Sequence, residues 1–311
     1  MKNLKKSLLK FIIVFVCYIG WAQQETTIST YWSHMNLLNP AYVGSDDNMY
    51  VTSTFRSQWT GIADSPETQM MSFSTPLRKR VGLGVSVVND KTFVEKSTYA
   101  AIDFSYKLKL DELTDLYFGI KAGGNFYDIN VSNIETYNVV QDPSLENISD
   151  FSPNVGIGFY LKRDKFYLSL SVPRMLNTER ATLEEGRATL ATDRPHFYIA
   201  TGYDFLLKSK KWMITPSILM RYVKNAPASF DTNVLFTYNN ILSAGFTLRS
   251  EKQYAAILMF DITKNIELGY AYETSSRELL SSEWNSNELV IRFKIPNKPK
   301  KDKAEELQID E

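Results

Sequence analysis

Two histidines, His34 and His196, and one cysteine, Cys17, are the only imidazole and thiol groups in the 311 residues. They lie in separate segments, so a zinc or transition-metal centre would need carboxylates for almost all its ligands, which suits those metals poorly. The sequence contains no HExxH, GxxxxGK[ST], GxSxG or dinucleotide fingerprint, the spacings on which metalloproteases, nucleotide hydrolases, serine hydrolases and dehydrogenases depend. Asp46-Asp47-Asn48 comes nearest to a calcium cluster, but three polar residues ahead of a strand read as a turn. His196 falls in the polar row of a strand, either as the base of a Ser-His pair or as a hydrogen-bonded interior imidazole. The residues indicate no enzyme, no cofactor and no metal site.

The chain that must position these groups begins with a sorting signal. Lys2, Lys5, Lys6 and Lys10 precede the apolar run Phe11–Ile19, and Gly20 and Ala22 stand at −3 and −1 of a cleavage before Gln23. Residues 1–22 therefore read as a signal peptide, the apolar run being short for a spanning helix. Its removal would take away Cys17 and leave no disulfide or thiolate chemistry. Lys+Arg and Asp+Glu both number 35, so losing four lysines leaves about −4, with no surplus of cations for nucleic acid. Beyond the signal no apolar run reaches 18 residues, which excludes helical spans but not β spans.

From Met49 onward the dominant period is two, the period of strands. Val81, Leu83, Val85 and Val87 alternate with Gly82, Gly84 and Ser86; Leu116, Phe118 and Ile120 alternate with Tyr117, Gly119 and Lys121. Some fourteen such runs follow one another. Their connections alternate between short ones, such as 162–165 and 239–240, and mostly longer ones: 59–68, 89–97, 129–153, 173–194, 223–228, 250–252 and 274–286. Gly82, Gly84, Gly119, Gly123, Gly156, Gly158, Gly202, Gly245 and Gly269 fall in polar rows, together with Arg56, Asp103, Lys121, Asp204, Arg221, Asp231, Arg249, Glu267 and Arg292. Small residues there suit something packed inside a barrel or sharply coiled strands, and charges of both signs suit a wet or salt-bridged lumen. Tyr106, Phe126, Trp212, Tyr222 and Tyr238 sit near the ends of apolar rows, where interfacial girdles belong.

The reading is an all-β chain: a transmembrane antiparallel β-barrel of about fourteen strands over 48–295, with short periplasmic turns and longer extracellular loops. Residues 23–47 read as an amino-terminal periplasmic or plug segment, and 296–311 as a charged periplasmic tail.

Tyr31–Ser45, YWSHMNLLNPAYVGS, resembles the amino-terminal signature of the PorP/SprF family of the Bacteroidetes type IX secretion system, with its N-P-A-Y-x-G element. The likeness continues in order through Phe55-Arg56-Ser57-Gln58-Trp59, Pro66-Glu67-Thr68-Gln69, Val81–Asp90, Lys121–Tyr127 and Ser171-Val172-Pro173. Trp32, His34 and the longer charged tail depart from it. The resemblance implies an outer-membrane protein that binds a secreted cell-surface protein of the gliding-adhesin type through its carboxyl-terminal sorting domain, and anchors or helps export it. The partners implied are that protein, outer-membrane lipid and periplasmic type IX components. A diffusion porin and a core machinery subunit contacting the periplasmic ring stand as alternatives. The partner-facing surface is expected on the loops at 59–68, 129–153 and 173–194, where Glu135, Asp142, Glu146, Glu184 and Glu185 could steer a basic partner. Asn39, Pro40 and Trp59 are expected to make family-specific contacts or else to close the barrel.

Overall fold

The computed structural model describes residues 27–60, 62, 64–130, 148–180, 191–250, 252–276 and 285–297. Fourteen strands form its wall: β1 (Met49–Gln58), β2 (Glu67–Arg78), β3 (Val81–Thr92), β4 (Glu95–Lys109), β5 (Thr114–Ile129), β6 (Ile148–Arg163), β7 (Phe166–Val172), β8 (His196–Tyr203, continued by Phe205–Leu206), β9 (Trp212–Val223), β10 (Ser229–Tyr238), β11 (Leu242–Arg249), β12 (Gln253–Thr263), β13 (Ile266–Ser275) and β14 (Ser286–Ile295). Each pairs antiparallel with the next, and β14 returns to β1 from Met49↔Ile295 to Gln58↔Ser286. Closure removes the free edges that an open sheet would present to lipid.

The two rows of each strand separate as their residue types require. Ile102, Ile120, Met71, Leu258 and Leu289 are each at least half exposed on the outer face. Arg56, Asp103, Lys121 and Glu288 point inward and are at most 2% exposed. An apolar band outside and a charged interior is the pattern of a barrel in a bilayer. Aromatic pairs mark both ends of the band: Phe126 with Phe151 and Phe197 with Tyr222 on the loop side, Trp212 with Tyr238 and Tyr203 with Phe205 on the turn side.

The turns are as short as their polar sequences suggest, with Asp164, Lys210, Asn239 and Asn240 at positive φ. One long loop expected from the sequence is absent. Residues 89–97 are not a loop: β3 and β4 stay paired from Asn89↔Thr98 to Thr92↔Glu95, leaving only Phe93 and Val94 between them. The apolar row stops at Val87, but backbone pairing needs no apolar side chains and continues above the lipid. For the same reason β5 and β6 extend into the expected loop 129–153 as far as Ile129↔Ile148.

The wall is uneven at β7, which has seven residues against sixteen in β6. Beyond Val172 the chain leaves the ladder, and the Arg174 guanidinium lies over the inward ring of Tyr99 at 4.6 Å. The exposed part of the β6 edge is protected: Pro153 has no N–H to offer, the Phe151 N–H donates to Asp150 Oδ1, and the Met175 N–H donates to Val155 O.

Candidate functional site

The lumen is occupied. Residues 27–48 run through it as three short helical pieces, Tyr31–His34, Met35–Leu38 and Pro40–Tyr42. Pro40 begins the last, where its fixed φ fits and its missing N–H costs nothing, and the Asn39 side chain accepts the Ala41 N–H as a cap. Gly44, at φ +72°, turns the chain toward β1 in a conformation that side chains with a Cβ seldom adopt.

The inward glycines make room for this plug. A Cβ on Gly119 would stand 2.1 Å from Ala41 N, and one on Gly158 would stand 1.9 Å from Asn39 Oδ1. One on Gly82 would meet Val43 O at 2.2 Å, and one on Gly84 the Val43 side chain at 2.5 Å. Four inward positions on three strands are thus bare because the plug backbone or its side chains lie against them.

Polar contacts fix the plug along its length. Near the loop side, Glu288 accepts from the Ser29 N–H at 2.7 Å and from the Thr30 N–H and hydroxyl, while the Ser29 hydroxyl donates to Glu273 at 2.8 Å. These carboxylates belong to a buried chain of alternating charge. Arg56 bridges Glu288 and Glu273, Arg249 bridges Glu273 and Asp231, and Arg221 meets Asp231, every link between 2.5 and 3.0 Å. Halfway down, His34 lies between Ser72 and Thr54 at 2.8 and 2.7 Å. Lys121, paired to Asp103 at 2.6 Å with both side chains fully buried, donates to Asn36 O at 3.0 Å. Lower still, Asn39 Nδ2 donates to Phe159 O and Ser169 Oγ, Ser171 Oγ to Leu38 O, Ser105 Oγ to Val43 O, and Lys162 Nζ to Ser45 O.

Buried ions cost several kcal/mol each to desolvate and survive only when paired with good geometry. Here the partners come from both the wall and the plug, so removing the plug would strip acceptors and donors from the interior charges. Burial pushes the His34 imidazole, on the plug and outside the spanning strands, down to about 3, with the Arg292 charge adding to the effect. It is held neutral between two hydroxyls. Tyr31, Met35 and Ala41 pack in one apolar cluster with the wall residues Tyr99, Tyr117, Tyr160, Tyr198 and Leu219, and Trp32 packs against a second formed by Ile257, Met259 and Ala271.

The sequence-predicted contact residues are dispersed. Asn39 is fully buried and Pro40 is buried beside it, and the contacts the structure gives them are internal ones. Trp59 sits at the loop-side rim, where its N–H donates to Asn285 O at 2.7 Å across the β1–β14 seam. Glu135, Asp142, Glu146, Glu184 and Glu185 lie outside the described residues. The groups sequence reasoning missed are Ser29, Thr30, Glu273 and Glu288. Strand register could have exposed part of the array, since Arg56↔Glu288, Asp103↔Lys121 and Asp231↔Arg249 are direct cross-strand pairs. Among the described residues no group of three His, Cys, Asp or Glu side chains is placed to hold a metal.

An apolar-skinned closed barrel with a salt-bridged, filled interior defines an outer-membrane β-barrel protein. The chain matches the type IX secretion system membrane protein PorP/SprF over residues 21–293, and it belongs to that family. No curated protein matches it. Among solved structures it is similar to the Acinetobacter baumannii outer membrane protein Omp33, at 9% identity over 81% of this chain and 100% of that one, TM-score 0.49. It is also similar to the P. putida toluene transporter TodX, at 11% identity over 84% and 94%, TM-score 0.46, and to the KdgM porin, at 10% over 78% and 98%, TM-score 0.39. These are remote likenesses.

Proposed function

We propose that this barrel is a holding protein of type IX secretion: it binds an exported cell-surface protein by its carboxyl-terminal sorting domain and retains it at the outer membrane. The observation that carries the reading is the filled lumen. A diffusion porin works through a water-filled passage, whereas here residues 29–45 lie along the interior and hydrogen-bond to its charged side chains Glu288, Glu273, Lys121 and Lys162. A barrel that spends its lumen on rigidity is suited to bearing a load on its loops. In this reading residues 1–22 are removed as a signal peptide, and the charged tail after Pro296 stays in the periplasm. Affinity purification of the tagged protein in mild detergent tests the proposal. Recovery of a surface protein carrying a carboxyl-terminal sorting domain is expected, and its loss on deleting 134–148 would place the contact on that loop. A preparation that retains no exported protein would overturn the reading.

A contact with periplasmic components has an observation in its favour as well. Arg78, Lys79, Arg80, Arg163 and Lys165 are exposed on the turn side, although neighbouring Lys162 is spent on Ser45 O. Reversing the exposed charges should release periplasmic partners from the purified assembly while leaving the barrel folded; unchanged co-purification would reject the contact.

A further inference from the structure

The plug runs through the lumen in one direction. Ser29 and Thr30 meet Glu288, two residues from the loop-side end of β14, and Ser29 meets Glu273, two residues from the loop-side end of β13. His34 and Asn36 contact Thr54, Ser72 and Ser86 in the middle of β1, β2 and β3. Val43 meets Ser105 near the turn-side end of β4, and Ser45 meets Lys162, one residue from the turn-side end of β6. The chain then begins β1 on the turn side. The amino end of the plug is therefore at the loop side. At a rise of about 3.3 Å per residue, two strand residues leave Ser29 roughly 7 Å below the edge, a distance two or three extended residues can cross.

We propose that the mature chain is threaded amino end outward. Thr27 stands at the loop-side mouth, on the cell exterior, and forms part of the surface that the exported partner covers. Thr27 and Ile295 then stand on opposite sides of the membrane, although an even number of strands returns both ends of the wall to the turn side. The partner contact rests on the anchoring reading; the threading does not. The loop-side rim and Thr27 would be met together by any domain large enough to seat on the barrel.

Cysteine labelling in intact cells tests both parts, because Cys17 is the chain's single cysteine and a Cys17→Ser background is free of thiols. Thr27→Cys, Lys91→Cys at the exposed loop-side end of β3 and Asp111→Cys in the turn-side β4–β5 turn are each treated with a membrane-impermeant maleimide. In cells lacking the partner, Thr27→Cys and Lys91→Cys should label and Asp111→Cys should label only after permeabilisation. Labelling of Thr27→Cys together with Asp111→Cys, only after permeabilisation, would overturn the threading. In cells carrying the partner, the Thr27→Cys reaction should slow at least tenfold. An unchanged rate, with the partner still recovered in affinity purification, would overturn the contact while leaving the anchoring reading intact. Failure to recover any partner would instead sink the anchoring reading, with threading judged from the partner-free cells alone.

Discussion

Glu288→Ala tests how the loop-side end of the plug is held. The native carboxylate is fully buried, accepts the Ser29 N–H, the Thr30 N–H and the Thr30 hydroxyl, and pairs with Arg56. Breaking a buried pair costs about 3–5 kcal/mol; Arg56 keeps Glu273, so the lower end of that range applies, about 3 kcal/mol. If this free energy is what resists local opening of the plug, the open population rises on the order of 100-fold, at about 1.4 kcal/mol per factor of ten. Ser33→Cys provides the probe: the residue is 6% exposed and its hydroxyl finds no hydrogen-bond partner among the described residues, so the exchange is mild. In detergent micelles the thiol should react on the order of 100-fold faster in the Glu288→Ala background, and about tenfold faster with Glu288→Gln, which keeps an acceptor oxygen. A change of less than about threefold in both would refute the claim that the carboxylate retains the plug.

Three further outcomes follow from the same interior. Gly119→Ala drives a Cβ against the backbone of Pro40 and Ala41, an overpacking of about 1–3 kcal/mol, and should speed Ser33→Cys labelling roughly tenfold; Gly269→Ala, where the nearest atom is the flexible end of Met259 at 3.1 Å, should leave it unchanged. Lys121→Met abandons a fully buried Asp103 and should cost about 3–5 kcal/mol in guanidinium unfolding, whereas Lys121→Met with Asp103→Leu should recover most of it; equal losses in both would show that the charge is not the cause. Because burial holds His34 neutral, its contribution is fully present above pH about 6.5 and erodes as the pH falls toward 3, by about 1.4 kcal/mol per unit. Plug opening should therefore rise about tenfold per unit between pH 6 and 4, and His34→Gln should flatten the profile; a slope unaffected by that substitution would assign it to another group.

The wall was legible in the sequence because every strand has to show an aliphatic row to lipid, and a period of two survives loose boundaries. Legibility failed where lipid stops constraining the outer face, as at Asn89–Thr98, which pair as a hairpin while showing no alternation. Bare positions such as Gly119 and Gly158 announced that something lies against the inner wall, but not what. The contact of Gly158 with Asn39 spans more than a hundred residues, a fact of topology that composition does not carry. The same holds for Ser29 on Glu288: a serine and a glutamate 259 positions apart have no local signal of their meeting. Asn39-Pro40 stood out as a motif, and it is the cap and first turn of the piece that packs against β5 and β6.

Planar-bilayer recording of the purified full-length barrel bears most directly on the filled lumen. A protein whose interior is taken up by residues 29–45 should add no stable conductance steps, and deletion of 27–45 should produce them if the wall remains folded. Large, long-lived steps from the intact chain would contradict the account, since they require a continuous water path where the plug lies.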